Sequence, residues 1–317
     1  MACASEPPRL PFPLEIFLQI LDEVVKSASG VVPVAYPPSN SVVRTFKSLM
    51  LVCKSLSATA AQYLYSHCLY INSESRLHKL LRTLGNGHGQ LEQSPWLAGI
   101  EQYMTSACLS IRGYNKKDSE RTSATIELFN FIGPSLKRLI LTGDFNNPRP
   151  GEDNPNDILS QLHNLEELQC SYDAWNYCKH ATLPQLKRLA FDFAGLGQDE
   201  FSFLQRSPKL EVLVTFRQGL SASCIDHIFE SYRGSDLKVL VVDVANNHRP
   251  LPLTRDWAPQ DKVHIMEVDV PVSYYGDERE YNLCQMWIRN KAIQGTLWEE
   301  HSRPMELWTA YIARWGN

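Results

Sequence analysis

The chain lacks any long run of one charge, and this absence excludes several kinds of partner. Its 317 residues carry a net charge of −4, and no run of Lys and Arg is longer than two residues. A general attraction to phosphate backbones or to anionic membranes needs an excess of positive charge. We therefore expect neither nucleic acid nor membrane among the partners.

Cysteine pairs, long apolar runs and glycosylation sites are lacking too. The 8 cysteines are scattered without a Cys-x-x-Cys pair, which resembles neither a disulfide framework nor a zinc module. No apolar run approaches the ~20 residues of a membrane span, and no signal peptide is visible. No Asn-x-Ser/Thr acceptor occurs either. A cytoplasmic or nuclear location with reduced thiols is the expectation.

What the chain does contain, close to its start, is a short segment that is apolar on nearly every side. FPLEIFLQIL spans residues 12–21, with Pro13 suited to the first helical position and Glu15 in the first turn. The two apolar faces of the predicted helix are Ile16, Phe17, Ile20, Leu21 and Val24 on one side and Leu14, Leu18 and Val25 on the other. A helix that is apolar all round is covered on all sides. Either a second protein covers one face, or the helix lies within its own core.

A helical region is predicted over residues 1–66 around this segment. A loop rich in Ser, Pro and Gly at 26–43 separates the first helix from a second helix at 46–66. A short strand at 69–71 and another helix at 75–84 follow.

A recurring unit begins beyond residue 100. Its five copies read SLKRLIL, NLEELQC, QLKRLAF, KLEVLVT and DLKVLVV, and their first leucines are Leu136, Leu165, Leu186, Leu210 and Leu237. Spacings of 21 to 29 residues between copies of Leu-x-x-Leu are typical of leucine-rich repeats, in which neighbouring units must stack to bury their apolar faces. We predict such a repeat domain over residues 67–272, with helices between the copies at 156–162, 199–207 and 223–233. Unrelated strand–helix units of an α/β enzyme would show a similar period.

Signals of catalysis or of metal binding are weak. GNGHG at 85–89 follows a predicted helix, whereas a phosphate-binding loop follows a strand. Cys170, Cys178 and His180 lack a fourth ligand at suitable spacing, and Cys170 occupies a core position of a repeat. We expect no cofactor, no metal and no enzymatic activity, although a Ser, Cys and His constellation could still assemble in three dimensions.

The two helices of the N-terminal region resemble the F-box motif. In that family the first half reads Leu-Pro-x-Glu-Ile with Ile-Leu further along, and the second half reads Leu-Val-Cys-Lys-x-Trp. The matching residues are Pro13, Glu15, Ile16, Ile20, Leu21, Leu51, Val52, Cys53 and Lys54. With the irregular repeats, the layout is similar to the fungal F-box/leucine-rich-repeat proteins. It departs from the pattern at Phe12 in place of Leu, at Leu56 in place of Trp, and in the long loop at 26–43.

The predicted fold class is α/β: an N-terminal helical F-box, an irregular leucine-rich-repeat solenoid, and a helical, Trp-rich C-terminal cap at 273–317. The resemblance implies the substrate-recognition subunit of an SCF-type (Skp–cullin–F-box) ubiquitin ligase, non-catalytic by itself. Its partners would be a Skp-type adaptor, through it a cullin–RING ligase, and a protein substrate for degradation. The alternative is a non-ligase repeat scaffold or interaction protein whose F-box-like helices only cap the stack.

The resemblance also suggests residues for both contacts. The candidate adaptor-binding residues are Phe12, Pro13, Ile16, Phe17, Ile20, Leu21, Leu51, Val52 and Leu56. Residues that alternate with the core leucines line the concave side of a repeat domain, and the polar ones proposed to bind substrate are Arg138, Thr142, Glu167, Gln169, Arg188 and Asp192. A polar loop at 145–157 is either a recognition loop or a solvated insertion.

In the last two copies, the residues predicted to line the concave side are nearly all apolar. The residues predicted to lie there are Val212, Val214, Phe216, Val239, Val241 and Asp243. Because strands that are apolar on both faces are normally covered on both, we expect the segment PMELWTAYIARW at 304–315 to pack over them. Its face would consist of Met305, Trp308, Ile312 and Trp315. An aromatic patch that binds a partner is the alternative.

Overall fold

The computed structural model describes residues 13–52, 54–85, 99–111, 118–143, 159, 161–248, 250–251, 258, 260–272, 279–306 and 308–315. Within them the chain is a mixed α/β structure with a nine-stranded sheet and ten α-helices. In this part of the chain, no helix combines the length and the apolar character that crossing a bilayer requires.

The elements alternate along most of the chain. The helices are α1 (Leu14–Val24), α2 (Ser41–Val52), α3 (Lys54–His67), α4 (Glu74–Gly85), α5 (Asp118–Ile132), α6 (Tyr172–Cys178), α7 (Gln198–Arg206), α8 (Ala222–Ser231), α9 (Glu280–Gln294) and α10 (Trp308–Trp315). The strands are β1 (Tyr70–Ile71), β2 (Ser106–Ile111), β3 (Arg138–Gly143), β4 (Glu167–Cys170), β5 (Arg188–Phe191), β6 (Val212–Phe216), β7 (Leu237–Val244), β8 (Val263–Val270) and β9 (Arg303–Pro304).

The strands lie in the sheet in the same order as in the sequence, from β1 to β9. The first eight are parallel to one another, and β9 pairs antiparallel with β8. Parallel neighbours need crossover connections, and α4 to α8 occupy most of these. Arg303 in β9 also makes a 3.2 Å ion pair with Glu267 in β8.

A row of apolar side chains crosses the sheet at one level because the strand register repeats. Leu139, Leu168, Leu189 and Leu213 are direct partners in β3 to β6, and all are buried. They share one large core with residues of α4 to α8, such as Phe129 of α5. We call this side of the sheet the helix face.

The fifth predicted copy is displaced by one residue from this row. β7 pairs with β6 so that Leu213 faces Val239, and Val239 and Val241 belong to the core of the helix face. Leu240 and Val242, which the Leu-x-x-Leu spacing places in that core, lie on the opposite face. The prediction for this strand was therefore wrong by one position. β7 is apolar on both faces, so the spacing of its leucines does not define its phase, and pairing with β6 decides it.

The opposite side of the sheet is covered by α9, and we call it the α9 face. Cys284, Ile288 and Ala292 of α9 are buried against strand residues such as Val214 and Val242. A C-terminal helix thus covers the apolar strip, but it is not the helix predicted at 304–315. Met305 instead joins the core of the helix face, and 47% of Ile312 is exposed. The side chains of Trp308 and Trp315 lie outside the described part.

Several boundaries also differ from the sequence prediction. The helix predicted at 46–66 consists of α2 and α3, and α2 begins inside the predicted loop. The strand β1 and the helices α4, α7 and α8 lie close to where the sequence placed elements. No element was assigned to α5, α6 or β8, whose sequences lack a clear period. All of 145–157 and part of 156–162 lie outside the described residues.

Candidate functional site

The three N-terminal helices form a small core of their own. Phe17 and Leu21 of α1, Phe46 of α2, and Leu56 and Ala60 of α3 are buried together. Phe46 also stacks on Tyr63, with ring centroids 5.6 Å apart. These contacts decide which side of α1 faces inward.

A hydrogen bond between two side chains connects helix α3 with helix α1. The Tyr63 hydroxyl donates to Oδ1 of Asp22 at 2.5 Å and lies 3.5 Å from the carbonyl oxygen of Leu18. Partial burial and this bond to the carboxylate raise the pKa of Tyr63 well above its ordinary value. The phenol therefore stays protonated and keeps its donor role.

The same helices leave apolar side chains uncovered by the rest of the described chain. Their exposed fractions are 48% for Leu14, 45% for Ile16, 46% for Ile20, 88% for Leu51 and 67% for Val52. Ile16 and Ile20 are four residues apart, so they share one side of α1. Exposed large apolar side chains concentrated in one region are typical of interaction sites.

The candidate adaptor-binding residues divide into two groups. Pro13, Ile16, Ile20, Leu51 and Val52 are exposed. The second group lies inside the helical core and is not accessible in this structure; it consists of Phe17, Leu21 and Leu56. Phe12 lies outside the described residues. Leu14, which the sequence places on the other apolar face of α1, is also exposed. It is the first residue of α1 and precedes the first buried residue of that helix, Phe17. The sequence contains no sign of this exposure.

Three of the six candidate substrate-binding residues form an ion-pair ladder on the α9 face. Glu167 accepts from Nε of Arg138 at 3.2 Å and from Nη1 of Arg188 at 2.8 Å. Arg188 also lies 3.6 Å from a carboxylate oxygen of Glu299. The three strands bring these side chains together because their residues are direct register partners.

Two other parts of the chain close over this ladder. Nε1 of Trp298 donates to Glu167 at 3.0 Å, and both terminal nitrogens of Arg138 donate to the carbonyl oxygen of Val32 at 3.1 Å. Gly295, which follows α9 at a φ of +74°, has no room for a Cβ, because one would lie 2.9 Å from the carbonyl oxygen of Val32 and 2.7 Å from Nη2 of Arg138. The ladder thus joins the loop after α1, the sheet and the end of α9.

The remaining three candidates are buried beneath α9. Thr142, Gln169 and Asp192 are each nearly inaccessible to solvent. Gln285 of α9 donates to the carbonyl oxygen of Asp192 at 3.0 Å, and Arg289 of α9 donates to Ser110 of β2. A substrate could reach Thr142, Gln169 and Asp192 only after displacing α9 or its flanking segments, whereas Arg188 remains partly exposed. The alternation along the strands predicts that they share a face, but no local signal indicates that α9 covers it.

The loop after α1 takes part in the same covering. Val34 and Ala35 are buried in the core of the α9 face, and the Val34 amide donates to the carbonyl oxygen of Ile293 at 2.8 Å. The Tyr36 hydroxyl donates to the carbonyl oxygen of Val25 at 2.9 Å. The predicted loop at 26–43 is therefore a packed connection between the helical region and the sheet.

The cysteines considered as metal ligands are embedded in apolar surroundings. Cys170 and Cys178 are fully buried, and burial raises the pKa of Cys170 well above its ordinary value. Among the residues that the structure describes, no group of three or more His, Cys, Asp and Glu side chains is placed to hold a metal ion.

No protein-family model matches the chain, and no curated protein is significantly similar to it in sequence. Its function is therefore inferred from its own residues and their arrangement.

Proposed function

We propose that the chain is the substrate-recognition subunit of an SCF-type ubiquitin ligase. It binds a Skp-type adaptor through α1 and α2, reaches a cullin–RING ligase through that adaptor, and binds a protein substrate through its sheet domain. It has no catalytic step of its own in this role. The observation that carries the proposal is the exposed apolar surface of α1 and α2, at positions that resemble the F-box motif.

The adaptor surface consists of Leu14, Ile16, Ile20, Leu51 and Val52. Each isoleucine is already about half buried, so an adaptor can gain about half of the ~1.5–3 kcal/mol that full burial contributes. Replacing one of them by alanine should cost about 1 kcal/mol, roughly fivefold in Kd. An aspartate there must also lose its hydration, which should weaken binding by about a hundredfold or more.

We further propose that the sheet domain is of the leucine-rich-repeat type. Its strands follow chain order, they contribute an apolar residue at the same register position, and α4 to α8 lie on one side. Stacking of units that cannot bury their own apolar faces explains all three features. Since α9 occupies the face opposite these helices, substrate would contact the domain outside the covered area.

A second candidate is a repeat scaffold without a ligase role. The observation that favours it is the burial of Val34 and Ala35 in the sheet domain, because a packed connection is what a capping helical region needs. In this alternative α1 to α3 only close the β1 end of the sheet, and nothing covers Ile16 and Ile20.

Co-expression of the chain with a Skp-type adaptor, followed by size-exclusion chromatography, separates the two candidates. We expect a one-to-one complex that is lost in Ile16→Asp and Ile20→Asp. The matched control is Val272→Asp, another exposed apolar position, beyond β8, which should still bind. A soluble chain that does not bind the adaptor would favour the scaffold. Aspartate variants that bind the adaptor as well as the control would instead refute the assignment of the adaptor surface to Ile16 and Ile20.

A further inference from the structure

A cavity of about 390 Å³ lies at the carboxyl ends of β6 and β7, beside the first turns of α9. Its lining contains apolar side chains, among them Phe216 and Val242, and polar ones, among them Asp243 and Glu280. Ligands of parallel α/β sheets often bind at the carboxyl ends of the strands. Neither the proposed adaptor surface nor the ion-pair ladder includes this cavity.

Two aromatic rings form one wall of the cavity. Phe216 of β6 and Tyr281 of α9 meet edge to face, with centroids 5.3 Å apart. Aromatic walls accept methylene groups and attract cations to the ring faces. The Tyr281 hydroxyl makes no hydrogen bond with any residue that the structure describes.

Three polar side chains of the lining are hydrogen-bonded to one another. Nδ2 of Asn247 donates to Oδ1 of Asp243 at 3.1 Å and to Oε2 of Glu280 at 2.7 Å. Both amide hydrogens of Asn247 are thereby used, and its Oδ1 can only accept. The second oxygen of each carboxylate receives no hydrogen bond from the described part of the chain.

Among the lining residues that the structure describes, Asp243 and Glu280 are anions and Arg217 is the cation. Nη1 of Arg217 already donates to the carbonyl oxygen of Leu220 at 3.2 Å. The two carboxylates also affect a neighbouring thiol: burial, with Asp243 and Glu280 adding to it, raises the pKa of Cys284 to about 12. The two carboxylates, which disfavour a thiolate here, attract a cation in the same place, whereas burial opposes a charge of either sign.

We propose that this cavity binds the cationic end of an amphipathic amine or guanidine. The ammonium or guanidinium group donates to Asp243, Glu280 and Oδ1 of Asn247, and its methylene chain packs along Phe216 and Tyr281. Lysine and arginine side chains have this chemistry, and so do free small amines and guanidines. The proposal does not depend on adaptor binding.

Isothermal titration calorimetry on the full chain tests the proposal. The probes are N-acetyl-arginine methylamide, N-acetyl-lysine methylamide and agmatine, with the neutral N-acetyl-citrulline methylamide as the comparison. We expect saturable binding of the cations and a loss of about tenfold in affinity in Glu280→Gln and in Asp243→Asn. Glu230→Gln, an exposed carboxylate on α8, is the matched control and should bind like the wild type.

The results also distinguish the two sources of the ligand. Tighter binding of a blocked amino acid than of agmatine would identify a side chain of a protein, and the reverse order a free small molecule. Glu280 is exposed, so Glu280→Gln remains informative even if Asp243→Asn perturbs folding. Absence of saturation at about 10 mM of every cation, equal binding of the citrulline probe, or an unchanged affinity in Glu280→Gln would overturn the proposal.

Discussion

Replacing Glu167 by glutamine tests whether the ladder of the α9 face is structural. Glu167 accepts hydrogen bonds from Arg138, Arg188 and Trp298, and only 15% of its side chain is exposed. Glutamine has a similar shape but no charge, and its amide nitrogen faces donors. We expect the variant to remain folded but to be less stable.

The expected loss follows from the number and burial of these bonds. A hydrogen bond to a charged group contributes about 1.5–3 kcal/mol, and two arginines lose their charged acceptor. Arg138 keeps its bonds to Val32 and Arg188 its contact with Glu299, which limits the effect. We expect the free energy of unfolding to fall by about 2–3 kcal/mol.

The neighbouring residue supplies the control. Glu166 makes a 2.9 Å ion pair with Lys187, and the two side chains are 37% and 43% exposed. Exposed pairs contribute about 0.2–1 kcal/mol, so Glu166→Gln should change stability far less than Glu167→Gln.

Urea denaturation followed by far-UV circular dichroism measures both variants against the wild type. If Glu167→Gln were within about 0.5 kcal/mol of the wild type, Glu167 would behave as a surface residue. The result would refute the conclusion that Trp298 and Val32 cover the ladder. It would support the earlier hypothesis that Glu167 binds substrate.

Two further predictions concern buried polar groups. Burial and the nearby Arg138 lower the pKa of His67 below its ordinary value of 6.5, with Asp22 opposing. The unfolded chain therefore binds a proton more readily at His67 than the folded chain does. The contribution of neutral His67 to the free energy of unfolding should be fully present above pH 6.5 and be lost as the pH decreases below that value. Denaturation curves that shift equally between about pH 7.5 and 5.5 in wild type and His67→Gln would contradict this. Gln169 is 1% exposed and its amide atoms have no hydrogen-bond partner among the described residues, so Gln169→Leu should raise the free energy of unfolding by about 1 kcal/mol. A loss of stability of about 1 kcal/mol instead would mean that a buried water satisfies the amide.

The packed connection after α1 has a consequence for the proposed ligase. Val32 accepts from Arg138, and Val34 donates to the end of α9. The helices that would bind the adaptor are thus held against the sheet domain by these hydrogen bonds as well as by the covalent connection. A substrate held by the sheet domain would then keep a defined position relative to the adaptor.

The sequence alone determined β3 to β6 and the apolar row that crosses them. Each of these copies contributes a leucine to the same environment, so the local pattern and the final packing agree. The pattern was insufficient at β7, where Val239 rather than Leu240 faces the helices. Both phases of that strand are apolar, and only pairing with β6 distinguishes them.

The sequence also determined that α1 carries more apolar surface than one helix face needs. Which part of that surface is exposed was decided by the tertiary structure, because α2 and α3 enclose Phe17 and Leu21 and leave Ile16 and Ile20 outside. The polar residues of the α9 face show the same limit. Alternation along the strands places Arg138 and Glu167 on one side, but it contains no information about the segment after α9, from which Trp298 donates to Glu167 across 131 positions of the chain. Periodicity reports the face of an element, whereas the partner that covers the face is a long-range property of the fold.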